Sequence, residues 1–178
     1  MPGQLKPPVS STDHAQGNLD SSVTLVEYGD YQCPYCGQAY PIVKRIQKRL
    51  GSRLCFVFRN FPLAEAHPFA MEAAEMAEGA ALQDKFWQMH DLLYEHQDEL
   101  ETERLVDYAK LLHLDMVKLR ADLAGPEVGK RVRSDFSSGV RSGVNGTPSF
   151  YINGAKFVGN WTDEDDFVAA LEEASRVR

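Results

Sequence analysis

Four residues, Cys33-Pro34-Tyr35-Cys36, constrain this chain more than any other feature because of what flanks them. Before them stands Val23-Thr24-Leu25-Val26-Glu27-Tyr28, a run rich in β-formers that is stopped by Gly29-Asp30 and reads as a central strand. After them, Ala39, Val43, Ile46 and Leu50 recur at helical spacing, and Gly51 marks the helix end. Cys33 is therefore expected near an N-cap, with Pro34 at the first helical position, where a missing N–H costs nothing. The N–H groups of Tyr35 and Cys36 then lack helical partners and can point at the Cys33 sulfur. Together with the positive end of the helix dipole they favour thiolate over thiol at Cys33. Lowering the pKa by one corresponds to about 1.4 kcal/mol of preference for the charged form. Cys36, one turn in, faces the same side and is placed to attack a mixed disulfide formed at Cys33.

Leu54 to Phe58 forms a second apolar strand, closed by Asn60-Phe61-Pro62. From about Ala64 to Ala124 the pattern is helical. Phe69, Ala73, Met76 and Ala80 make one stripe, Phe86, Met89 and Leu93 a second, and Leu105, Ala109 and Leu112 a third. Asp115 is expected to cap a short helix that Gly125-Pro126 ends, and Val128, Val132, Phe136 and Val140 share a face of the next. Strands return with Ser149–Ile152 and Lys156–Val158, separated by Asn153-Gly154, a strong hairpin signal. Thr162 with Asp165 suggests a capping box for a final helix bearing Phe167, Ala170, Leu171 and Ala174. The predicted fold is thus α/β: β-α-β, then β-β-α, with a helical insertion between the halves. The expected division is a flexible N-terminal segment over 1–20, one domain built from 21–63 and 126–178, and an inserted helical domain over 64–125.

With 178 residues the chain can bury roughly 70% of its unfolded surface, so it needs no disulfide staple. A net charge of -7 argues against a nucleic-acid binder, and no apolar run approaches the roughly 20 residues of a membrane span. Residues 1–20 are polar, Pro- and Ser-containing, and lack the layout of a signal peptide. If Met1 is the native start, a cytoplasmic location is expected; a trimmed export signal would make it periplasmic or otherwise extracytoplasmic. Three cysteines are too few for a disulfide scaffold, so the close pair points to redox or metal chemistry. Zinc would need two further ligands from Cys55, His14, His67, His90, His96 and His113, which form no second close pair, so no metal is expected. Cys55 reads as a buried small hydrophobe and the histidines as surface or helix-packing residues. Asp30 and Tyr31 either tune the pair or, for Asp30, simply form the turn.

The Cys-Pro-Tyr-Cys helix start, the large helical insertion and Thr147-Pro148 before a strand resemble DsbA-like members of the thioredoxin superfamily over nearly the whole chain after residue 20. Two further matches agree. Glu27 stands six residues before Cys33, where the superfamily carries a buried acid, and Pro41 five after Cys36, where it carries a helix-kinking proline. The resemblance implies a protein thiol–disulfide oxidoreductase. Cys33 would be the nucleophile, Cys36 the resolving thiol and Glu27 the acceptor of the second thiol's proton. Thr147 and Pro148, in a cis-proline loop, would bind substrate beside Pro34 and Tyr35. From residue type alone, a solvent-facing Glu27 and a trans turn at Pro148 are the alternatives. Partners implied are protein thiols and disulfides plus a recycling protein or glutathione, with no cofactor. The family's strongest oxidants carry histidine where Tyr35 stands, so a less extreme oxidant is expected. A rival reading on the same fold is a metal- or partner-docking module with inert cysteines.

Overall fold

The computed structural model describes residues 3–177, and these fall into two compact units. The first comprises residues up to Gly29, Gln38–Arg59 and Ser137 onward; the second comprises Asp30–Gly37 and Asn60–Phe136.

The first unit holds a five-stranded sheet in the order β1-β3-β2-β4-β5. Its strands are β1 (His14–Gln16), β2 (Val23–Gly29), β3 (Leu54–Asn60, whose last residue belongs to the second unit), β4 (Ser149–Ile152) and β5 (Ala155–Lys156). Every residue of β2 and β3 is buried, as a continuous apolar run requires when both faces of a strand are covered. β4 runs antiparallel to β2 with Glu27 opposite Phe150 and Tyr28 opposite Ser149. Asn153 (φ 47°) and Gly154 (φ 85°) turn β4 into β5, the positive dihedrals that a two-residue hairpin demands. β5 is shorter than the expected second hairpin strand: it ends at Lys156, and Val158 is exposed. Helix α7 (Glu164–Arg176) packs on β2, and its Phe167 meets the rings of Phe150 and Phe157 at 5.0 and 4.9 Å. Its cap is Asp163, which accepts from the N–H groups of Asp165 and Asp166; Thr162, expected in that role, bonds to Asn160 instead.

The N-terminal residues depart most from expectation. The lead-in expected to be flexible supplies β1, whose His14, Ala15 and Gln16 pair with Phe58, Val57 and Phe56. Leu5 is buried and Gln4 bridges to Ala155. The anchor is Arg59, whose guanidinium grips both Asp13 carboxylate oxygens at 2.8 and 3.0 Å. It also donates to the carbonyls of Pro7 and Pro8 and to the Tyr28 hydroxyl. Burial works against the charge of Arg59, but its bonds to Asp13 and Tyr28 hold the guanidinium even more firmly protonated than usual.

In the second unit, α2 (Ala70–Ala81) contacts α3 (Phe86–Glu95), α4 (Thr102–Leu111) and α5 (Met116–Ala124). Its alanines at 70, 73, 74, 77 and 80 are buried, and such small side chains let three helices approach one. A methyl on Gly79 would sit 2.7 Å from Leu119. Asp115 caps α5 as expected, accepting from Val117 and Lys118. Two helices run from one unit into the other, α1 (Pro34–Leu50) and α6 (Pro126–Ser142). Along α6, Val128 and Val132 are buried but Val140 is exposed; near its end Asp135, Ser138 and Ser142 turn inward instead. Asn60, at the end of β3, donates its side-chain amide to Glu78 (2.7 Å) and to Asp135 (3.0 Å). Burial raises the Asp135 carboxyl above its ordinary value, opposed by the Arg131 charge. These units are drawn differently from 21–63, 126–178 and 64–125: residues 30–37, with both close cysteines, cluster with the helices, as do 60–63 and 126–136.

Candidate active site

The redox segment is built where β2 ends and α1 begins. The Cys33 carbonyl accepts the first helical bond, from Gly37 N–H at 3.0 Å, so Cys33 occupies the N-cap and Pro34 the first helical position. Cys33 and Cys36 are both free thiols and both buried; Cys33 keeps 3% of its surface and Cys36 none. Tyr35 between them is 62% exposed. The third thiol, Cys55, is wholly buried in β3, as its apolar surroundings suggested.

Asp30 organises this segment. Its carbonyl accepts the Cys33 N–H at 3.1 Å, and its own N–H donates to the Cys36 sulfur at 3.5 Å. Its carboxylate is completely enclosed. Oδ1 accepts from Gln32 N–H (2.8 Å), while Oδ2 accepts from Leu63 N–H (2.9 Å) and pairs with His67 Nδ1 (2.7 Å). From α3, His90 meets the Tyr31 hydroxyl at 3.0 Å. Gln97, just after α3, donates its amide to the carbonyls of Tyr31 (3.0 Å) and Cys33 (2.6 Å). A methyl on Gly37 would collide with that amide, which explains glycine at a helical position. Of these groups the sequence pointed only to Asp30 and Tyr31. His67, His90 and Gln97 lie 31 or more residues away along the chain, and no local pattern links them to the cysteines.

The remaining predicted site residues lie in the sheet unit. Glu27 is 2% exposed, which removes the solvent-facing alternative. The Thr147–Pro148 peptide bond is cis. Because Ser149 pairs with Tyr28 and Phe150 with Glu27, the Thr147-Pro148 turn enters β4 beside the end of β2 that carries Glu27. Pro41 lies inside α1. Among the described residues, no group of three His, Cys, Asp or Glu side chains is arranged to hold a metal ion, and no helix is long and apolar enough to cross a membrane.

A β-α-β, β-β-α chain with helices between its halves and a cysteine pair at the head of α1 defines the thioredoxin class of fold. A thioredoxin family model matches residues 9–173, and the chain belongs to the thioredoxin superfamily, in its DsbA-like branch. Among solved structures it resembles a thioredoxin-like oxidoreductase from Silicibacter pomeroyi DSS-3, with 26% identity, a TM-score of 0.82 and 94% of each chain covered. It also resembles oxidised BdbD from Bacillus subtilis, with 27% identity, a TM-score of 0.82, and 98% of this chain and 97% of that one covered. Among curated proteins it is 44% identical over 166 residues to the Na(+)/H(+) antiporter NhaA 3 of Salinispora tropica, a match over 93% of this chain and 25% of the antiporter. The NhaA 1 antiporter of Salinispora arenicola is 43% identical over 152 residues. The chain spans about a quarter of the length of these curated relatives.

Proposed function

We propose that this chain is a protein thiol–disulfide oxidoreductase working through Cys33 and Cys36. The observation that carries the reading is the placing of two reduced thiols on the first turn of α1, with Cys33 as the N-cap. At that position the dipole and the unpaired amides of the first turn stabilise a thiolate. Cys33 alone among the three thiols keeps any exposed surface, which supports it as the attacking or attacked sulfur.

In the disulfide-donating direction, a substrate thiolate attacks Cys33 of the Cys33–Cys36 disulfide and Cys36 leaves as a thiolate. A second substrate thiolate then attacks the sulfur joined to Cys33, and the substrate departs with a disulfide while the protein keeps two electrons. In the reductive direction, the Cys33 thiolate opens a substrate disulfide and Cys36 resolves the mixed disulfide. Glu27, buried two residues before β2 ends, serves as acceptor of the Cys36 proton. Thr147 offers backbone groups to an extended substrate segment, and Pro148, Pro34 and Tyr35 are the further residues assigned to substrate binding. Substrates are protein thiols and disulfides; the oxidising or reducing equivalents come from glutathione or a recycling protein. Tyr35 adds no positive charge to the thiolate, consistent with a moderate oxidant that acts as reductase or isomerase in a reducing compartment.

The test is Cys36→Ser, which is expected to accumulate a mixed disulfide with substrate at Cys33 on non-reducing gels, whereas Cys33→Ser abolishes exchange. Full insulin-reducing activity in Cys33→Ser would overturn the assignment. A redox titration against glutathione sets the direction.

A further inference from the structure

Asp30 stands three residues before Cys33, and its backbone bonds both cysteines: its N–H donates to the Cys36 sulfur and its carbonyl accepts from the Cys33 N–H. The buried carboxylate gathers three donors from separate places, the Gln32 amide, the Leu63 amide and the His67 ring. A buried carboxylate must be fully bonded to be tolerated, so these three bonds leave the Asp30 peptide little freedom. The restrained N–H points at the Cys36 sulfur. Resting on the reading above, we propose that Asp30 and His67 form a positioning pair that sets the redox equilibrium of Cys33 and Cys36 by holding that amide on Cys36.

The direction of the effect follows from the chemistry of sulfur. In the reduced protein Cys36 shares its proton with the Cys33 thiolate and so carries part of the negative charge. Its sulfur then accepts a hydrogen bond more strongly than a disulfide sulfur does, and a well-aimed amide stabilises the reduced protein preferentially. His67 is the partner to perturb. Its side chain is 20% exposed, and Leu63 N–H continues to occupy Oδ2 when the ring is lost. Asp30 loses one restraint while the rest of the turn keeps its bonds.

The experiment equilibrates the full chain with glutathione. The protein disulfide and two glutathione thiols exchange with the protein dithiol and glutathione disulfide, and the reduced fraction is read by maleimide gel shift. His67→Phe is expected to move the equilibrium three- to tenfold toward the protein disulfide, the range of one modest hydrogen bond; tenfold corresponds to about 30 mV for a two-electron couple. His67→Gln, whose amide can donate to Asp30, is expected to recover at least half of that change on a logarithmic scale. Asp30→Asn, which places an amide group among three donors, is expected to move the equilibrium in the same direction as His67→Phe. An equilibrium constant within twofold of the parent for His67→Phe overturns the pairing, including when its melting temperature falls. A parent chain that fails to exchange with glutathione at any ratio overturns the oxidoreductase reading itself, and the pairing with it.

Discussion

Replacing Asp13 by alanine removes the carboxylate that pairs with Arg59 and leaves a guanidinium whose side chain is only 3% exposed. Two charge-assisted bonds disappear, at 2.8 and 3.0 Å, each of a kind contributing about 1.5–3 kcal/mol. The bonds to Pro7, Pro8 and Tyr28 satisfy the geometry of the remaining donors but supply no compensating charge. Breaking one side of a buried ion pair typically costs about 3–5 kcal/mol. Exposed Ser11 and Thr12 precede Asp13, so water has a short path to the orphaned charge and the lower end, about 3 kcal/mol, is expected. With a urea slope of about 2 kcal/mol/M, the unfolding midpoint should fall by about 1.5 M. Substituting both partners with apolar residues, Asp13→Leu with Arg59→Met, should cost less than Asp13→Ala alone, because no orphaned charge remains. Hydrogen exchange should show β1 losing protection in Asp13→Ala before β2 does. A midpoint shift below about 0.4 M, under roughly 1 kcal/mol on the same slope, would refute the argument. It would mean that the guanidinium is solvated at little cost once its partner has gone.

Asp115→Ala removes the cap of α5 and should lower stability by about 1 kcal/mol in thermal unfolding, with Asp115→Asn retaining most of it. An unchanged melting temperature for the alanine variant would show that the cap is dispensable. Tyr151 donates to the Ser142 carbonyl at 2.9 Å, and burial, then the neighbouring Tyr28, pushes its hydroxyl up to about 12. Its folded value is above its unfolded value, so its contribution is complete below about pH 10 and is lost as pH rises toward 12. Ultraviolet titration should show a late tyrosinate step that Tyr151→Phe deletes, and a step persisting in that variant would reassign it.

The sequence by itself determined everything that depends on neighbours a few residues apart. The β-branched run made β2, the 3.6-residue period made α1, Pro34 placed its start, Asn153-Gly154 turned the hairpin, and Asp115 capped α5. Those signals work because φ/ψ preferences, capping bonds and helical faces are settled within one or two turns of chain. They also placed Cys33 and Cys36 on one helical turn, the essential part of the candidate site. Where a local reading failed or two competed, the tertiary structure decided: Asp163, not the expected Thr162, caps α7, and burial settled the face of Glu27. It alone decided that His14–Gln16, a triplet with no strand signal, becomes an edge strand. Pairing with Phe56–Phe58 and the Arg59–Asp13 bonds supply what local propensity does not. It alone also gathered His67, His90 and Gln97 onto residues 30–33. Each of those bonds joins segments far apart in sequence, and a buried hydrogen bond leaves no periodic trace along the chain that makes it.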